Sequence, residues 1–358
     1  MRSFEQILEK GLEGGRLSVE DGKALYAGDL LELGEAAHEI MLRSHPDRVI
    51  TFVVDRNVSY TNICTVDCGF CAFSRSPGSP EGYVLSREAV LDKVRELAAC
   101  GGTQVMLQGG VNPDLPLDYY LDLMRSIREH FPGVLIHSFS AVEMDMFSKN
   151  FRIPLDRIFR LFKEAGLNSI PGGGAEILVE RVRRKISPKK ISSERWIEIM
   201  RTAHECGLRS TATLVFGHVE TIEERLLHLV RLRELQDETG GFRAFIPWSF
   251  APQGTPGLSH LRPAGGEDYL RTVAVSRLML DNFEHLQSGW LTEGLKLAQT
   301  ALHFGCDDMG GVLMEDKVLE PTGITVGTRE EDMRRLIREA GFIPAQRNTN
   351  YEVLHVDA

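Results

Sequence analysis

Three thiols crowd into eight positions at Cys64, Cys68 and Cys71, spaced C-x3-C-x2-C within CTVDCGFCAF. Thiolates bind soft metals, and a closely spaced group on one loop can wrap a single inorganic cluster. A structural zinc site wants four ligands, and this loop has neither a histidine nor a fourth cysteine. CGFC alone has the spacing of a redox dithiol, which leaves Cys64 without a role. Three cysteines on a four-iron cluster would leave one iron open, and an open metal position is where a substrate can coordinate. Of the other cysteines, Cys100 and Cys206 each precede a glycine at an expected helix end and read as buried core thiols. Cys306, in HFGCDD, carries no assignment.

Polar and flexible residues gather at the ends of expected strands. LQGGVNP places Gly109 and Gly110 after the second strand, where glycine lets a ligand approach the backbone or simply makes a turn. Ser140, at the end of LIHSFS, is a turn serine or a cavity residue. IPGGGAEI sets Gly172, Gly173 and Gly174 ahead of Glu176. Such a run is entropically costly for a plain connector. LVFGHVE ends on His218 and Glu220. His218 is either a hydrogen-bonded structural histidine or an acid–base group. Glu220 is a second acid–base candidate or a first-turn carboxylate that suits the helix dipole. Trp248 and Trp290 stand at strand ends and either pack an aromatic substrate or fill the rim. Arg243, at a strand start, faces either a substrate or solvent.

These residues need a scaffold that brings strand ends together. The chain alternates expected strands (VITFVVDRNVSY, TQVMLQGG, VLIHSFS, LNSIPGGG, LRSTATLVFGHVE, FRAFIPWSF, EHLQSGW, MGGVLM) with helical stretches such as SREAVLDKVRELAACGG. Alternation of this kind implies parallel strands joined by crossover helices. Eight such units imply a (β/α)8 TIM-type barrel, with an open doubly wound sheet as the alternative, and a barrel builds its site at the carboxyl ends of its strands. Residues 1–48 read as an N-terminal helical extension and 49–358 as the barrel domain with a C-terminal tail.

The chain has 358 residues, a net charge of −10, 42% hydrophobic and 26% charged residues. That composition suits a globular protein with a sizeable core. The acidic balance argues against a nucleic-acid grip. No apolar run is long enough to span a bilayer and no signal core opens the chain, so a cytoplasmic protein without a membrane partner is expected.

With the cysteine loop after the first strand and Phe70 just before the third cysteine, the chain resembles the radical S-adenosylmethionine superfamily. The resemblance implies that Cys64, Cys68 and Cys71 ligate a 4Fe–4S cluster and that the open iron binds S-adenosylmethionine. It further implies that Phe70, Gly109, Gly110, Ser140 and Glu176 contact that cofactor, Glu176 at the adenosyl ribose. DRNVSYTNICTVDCGFCAFSR, SIPGGGAEILVERVR, TATLVFGHVET and ALHFGCDDMGG are similar to the futalosine-pathway group of menaquinone biosynthesis. The implied reaction is cyclisation of dehypoxanthine futalosine. A 5'-deoxyadenosyl radical removes the ribose 4' hydrogen, and the ribosyl radical closes onto the benzoate ring. Aminofutalosine synthase and a deazaflavin (FO) synthase subunit are the alternatives within the resemblance, and a non-catalytic metal-binding barrel is the alternative outside it. Such a reaction calls for a base or a cation near the benzoate, and His218, Glu220 and Arg243 are the candidates. It also implies an electron donor such as a flavodoxin or ferredoxin.

Overall fold

The stretch expected as one strand, 49–60, is two strands with different neighbours. The computed structural model describes residues 2–324 and 327–357. In it β1 (Val49–Val53) and β2 (Asp55–Val58) meet at Val54. β2 opens a parallel series with β3 (Gln104–Leu107), β4 (Leu135–His137), β5 (Leu167–Ile170), β6 (Arg209–Phe216), β7 (Phe242–Ser249) and β8 (His285–Leu286). β1 lies between β9 (Asp308–Gly311) and β10 (Ile343–Arg347), and β11 (Val353–Val356) runs antiparallel to β10. A parallel bridge between Gln287 and Asp308 joins β8 to β9, with Ser288 N–H donating to the Asp308 carbonyl over 2.8 Å. The ring thus closes as a barrel, with β1 and β2 sharing one staggered position. The expectation of one continuous strand fails at Val54 because the lower half has β10 at its side and the upper half has β3. That exchange of partners is tertiary and leaves no mark on an apolar run.

Crossover helices follow the strands as the serine caps foretell. Ser86 caps Arg87–Ala99 and Ser192 caps Ser193–Glu205, each accepting an N–H of the first turn. Helix Ala141–Phe151 was not expected. It begins at a capping box in which Ser140 and Glu143 each bond the other's backbone N–H. Helices Phe4–Leu12, Val19–Ala27 and Leu30–Ser44 form the N-terminal extension. Gly22 lets Leu226 of helix Ile222–Thr239 approach, and Gly34 lets Phe304 approach, so this extension packs on barrel helices. After β9, helix Glu330–Glu339 leads to β10. That strand and the turn beyond it bring the C-terminal segment beneath the barrel.

Two cysteine expectations are corrected. Cys100 is exposed and Cys206 half-buried, whereas Cys306 is the fully buried thiol. Cys100 and Cys206 are the C-caps of their helices, past the apolar stripe that faces the core.

Candidate active site

The cysteine loop closes the carboxyl end of the barrel. Cys64 N–H donates to the Arg75 carbonyl over 2.8 Å and Thr65 N–H to Val111 over 3.1 Å, anchoring the loop to its own return and to the end of β3. At the far side Gly69 N–H donates to Ile186 over 2.8 Å, and Gly257 N–H donates to Gly69 over 2.9 Å. Asp67 takes a left-handed backbone, φ 56°, which aspartate tolerates better than most residues, and its carboxylate pairs with Lys189 at 3.1 Å.

The three thiols suit a cluster better than one ion. Zinc–sulfur bonds of about 2.3 Å place tetrahedral sulfurs about 3.8 Å apart. Among the described residues, the one grouping of three metal-binding side chains with ligand atoms within 4.8 Å is His45, His285 and Asp307, so the cysteine sulfurs are spread more widely. Burial pushes the Cys68 thiol up to about 11, while the Lys190 ammonium favours its thiolate. Lys190 is itself buried, bonds Glu176, and lies over the Phe70 ring 4.9 Å from its centre. Cys64, Cys68 and Cys71 therefore form a donor set, backed by a buried cation, that fits an anionic iron–sulfur cluster.

Below the loop a cavity of about 300 Å3 runs down the barrel lumen. Phe70, Cys71, Glu176 and Trp248 line its upper part, and Asp55, Arg243 and Tyr351 line it as well. The period-2 alternation of strands sets the wall. β2 presents Asp55 and Asn57, β3 Gln104, Met106 and Gln108, and β6 Thr211, Thr213 and Val215. Trp290 completes the wall and is fixed by an indole N–H bond of 2.9 Å to the Gly311 carbonyl. Glu176 holds φ 41°, a left-handed conformation that a non-glycine residue adopts at a cost. Its backbone carbonyl accepts Val215 N–H over 2.8 Å, which ties the PGGGAE loop to β6. Gly172 is needed there, because a Cβ would lie 2.8 Å from the backbone of Ala212.

Phe70, Cys71, Gly173, Gly174, Glu176, Trp248, Trp290 and Arg243 thus meet on one cavity, whereas Gly109, Gly110, Ser140, His218 and Glu220 do not line it. Gly109 packs under Tyr60, and Gly110 under Ile63 and Cys64. Ser140 is buried as a helix cap with its hydroxyl on Glu143. Glu143 accepts from Tyr60 Oη at 2.7 Å and from Gly109 N–H at 3.2 Å, linking that cap to the end of β3.

His218 and Glu220 form a loop clasp. His218 Nε2 donates to the Val215 carbonyl at 2.9 Å. Glu220 accepts from Gly217 N–H at 2.6 Å, His218 N–H at 2.9 Å and Arg225 Nε at 2.8 Å. Burial opposes its charge, but His218, Arg225 and the Gly217 N–H outweigh burial and hold it well below the usual carboxylate range. These groups bond the turn after β6, and neither lines the lumen.

Arg243 faces inward from the start of β7 and is 1% exposed. The C-terminal segment forms the floor beside it. Arg347 pairs with Asp308 through bonds of 2.5 and 2.9 Å, and its guanidinium lies 3.8 Å above the Tyr351 ring. Tyr351 stacks on His285 at 3.9 Å. Opposite, Asp55 accepts from Leu313 N–H at 2.9 Å and Gln104 Nε2 at 3.3 Å, and burial pushes its carboxyl up to about 7. Asp55 had a signal in the sequence, as a charge inside an apolar strand is informative. Lys190, in a polar loop, and Tyr351, in the tail, had none.

Comparison with known proteins agrees with this architecture. Residues 58–231 match the radical SAM superfamily, and residues 239–358 match the CofH/MqnC C-terminal region. The chain is 46% identical to a cyclic dehypoxanthine futalosine synthase of Halalkalibacterium halodurans, over 98% of this chain and 95% of the relative. It is 39% identical to a protein of the same name from Streptomyces coelicolor, over 99% and 90%. It is 44% identical to an aminodeoxyfutalosine synthase of Thermus thermophilus, over 98% and 95%. Among solved structures, methylornithine synthase (PylB) superposes with a TM-score of 0.75 at 18% identity, covering 95% of this chain and 97% of that one. With the cysteine loop, the closed parallel barrel and end-to-end identity of this order, the chain belongs to the radical SAM superfamily, in its CofH/MqnC branch, and is an enzyme that uses a 4Fe–4S cluster and S-adenosylmethionine.

Proposed function

We propose that this enzyme cyclises dehypoxanthine futalosine in the futalosine route to menaquinone. The observation that carries the reading is the 46% identity, along nearly the whole of both chains, to a cyclic dehypoxanthine futalosine synthase. The cofactors, when bound at Cys64, Cys68 and Cys71, supply a hydrogen-abstracting primary radical at the upper end of the lumen. The chain's own residues supply placement and shelter. Phe70 and Glu176 line the cofactor end, with Lys190 holding Glu176. Gly109, Gly110 and Ser140 act on the cofactor through the packing of the cysteine loop. Trp248 and Trp290 offer flat walls to an aromatic ring. The floor of Arg347, Thr349 and Tyr351 excludes water, and a confined substrate limits which hydrogen is reached. After ring closure the ring must lose one electron, to the redox centre or its protein partner, and one proton, and Asp55 is the lumen carboxylate we assign to take the proton on Oδ2. A flavodoxin or ferredoxin is the proposed electron donor.

The test incubates reduced, cluster-loaded protein and S-adenosylmethionine with dehypoxanthine futalosine. The expected result is 5'-deoxyadenosine and a product of substrate mass less two hydrogens. The 44% identity to an aminodeoxyfutalosine synthase supports a second reading. Turnover with an enolpyruvyl benzoate substrate alone would favour it.

A further inference from the structure

Buried polar atoms in a folded protein nearly always have partners, and those without one call for an explanation. Four such atoms belong to residues that line the lumen: Asn57 Oδ1, Arg243 Nε, Ser288 Oγ and Tyr351 Oη. Arg243 is the most telling. Its guanidinium meets only neutral groups: the Thr349 carbonyl, Asn350 Oδ1 at 3.3 Å and His137 Nδ1 at 3.4 Å. The neighbouring Arg347 already has Asp308 as its counter-ion. Among the described residues no carboxylate pairs with Arg243, so a whole cation is buried without compensation, a costly arrangement unless a ligand supplies the charge. Burial pulls this guanidinium down to about 9, and Arg347 and Arg209 add to the effect.

We propose that Arg243, with Tyr351, forms an anion subsite at the floor of the lumen that takes the carboxylate of an aryl carboxylic acid. The planar guanidinium fork suits a carboxylate, and the Tyr351 hydroxyl is the donor left over for its other lone pairs. Tyr351 stands on the same floor, and Trp248 and Trp290 wall the cavity above it. An aromatic-walled lumen above a buried cation fits a carboxylate carried on an aryl group better than a free inorganic anion. The position also sets direction. Arg243 begins β7 and Trp248 lies five residues on, about 17 Å along an extended strand. The ring carboxylate therefore binds deep, and the rest of the molecule points up toward the cysteine loop. The inference rests on the proposed cyclisation, whose substrate carries a benzoate, and fixes which end of that substrate enters first.

The experiment uses the cluster-loaded protein without reductant, so that no turnover occurs. Benzoate and its uncharged isostere benzamide are titrated by calorimetry and by quenching of tryptophan fluorescence. Wild type should prefer benzoate by about tenfold or more, and Arg243→Gln should abolish that preference while leaving benzamide binding in place. Tyr351→Phe, which removes only the unpartnered hydroxyl, should lower benzoate affinity several-fold and serves if Arg243→Gln does not fold. Equal binding of the two probes by wild type, or a benzoate preference retained in both variants, overturns the subsite. Turnover of dehypoxanthine futalosine is measured in parallel. Cyclisation by wild type without an Arg243-dependent benzoate preference leaves the function standing and removes the subsite. The preference without cyclisation does the reverse.

Discussion

The Tyr60 hydroxyl donates to Glu143 over 2.7 Å and joins two crossover units beneath the cysteine loop. Glu143 is fully buried and also accepts from Ser140 N–H and Ser140 Oγ, each at 2.7 Å, and from Gly109 N–H at 3.2 Å. Removing the carboxyl leaves those donors without partners in a dry interior. Glu143→Ala should therefore destabilise the protein by about 3 kcal/mol or more. Glu143→Gln, which keeps one acceptor oxygen, should cost about 1–2 kcal/mol. Denaturant midpoints of the two variants measure this, and equal, small losses would show that the network contributes little.

Gly110 tests whether the glycines after β3 serve packing. A Cβ there would lie 2.2 Å from the Ile63 carbonyl oxygen and 3.0 Å from Cys64 Cβ, so the backbone leading into the cysteine loop has to move. Gly110→Ala should reduce the iron and sulfide content after reconstitution more than it reduces helical content by circular dichroism. Full cluster loading in this variant would contradict the packing role.

The cysteine set makes a sharper division. Cys68→Ala should lose the visible iron–sulfur absorption, whereas Cys100→Ala and Cys306→Ala should retain it. Cys100 is exposed and Cys306 is buried beside Asp307 and Asp308. An intact cluster in Cys68→Ala would sink the assignment of ligands.

Much of this was legible because local signals and fold agree. The β–α alternation, the serine caps and the glycines after strands mark the eight units and the end of the barrel where the loops meet. Ser140 and Glu143 carried a capping-box signal for a helix that pattern reading passed over. Other features had no local mark. The switch of partners at Val54 depends on β10, nearly three hundred residues later. The role of Tyr351 depends on a tail folding under the barrel. His218 and Glu220 have the right chemistry at a strand end, yet their bonds are consumed by Val215, Gly217 and Arg225. Residue type suggested function there, whereas partner geometry ties both groups to the turn.

Asp55 gives a prediction in pH. Its carboxyl is pushed up to about 7, chiefly by burial, with Asp316 adding to the shift. The Leu313 N–H and the charge of Arg347 pull the other way. An ordinary unfolded aspartate ionises near 4. Between those two values the folded protein holds the proton that the unfolded chain has lost, so stability falls as pH rises through that window. Asparagine cannot ionise and removes the dependence. From about pH 5 to about pH 8 the stability of Asp55→Asn relative to wild type should rise by about 3 kcal/mol at most. Paired urea titrations of the cluster-free proteins at the two pH values would measure it, and a flat difference would show that Asp55 ionises normally. Turnover supplies the second reading. If Asp55 Oδ2 takes the ring proton, wild-type turnover should rise with pH through about 7 as the base form appears. Asp55→Asn should lose that limb together with most cyclised product, while still consuming S-adenosylmethionine. A pH profile unchanged by the substitution would move the proton acceptor elsewhere on the lumen wall.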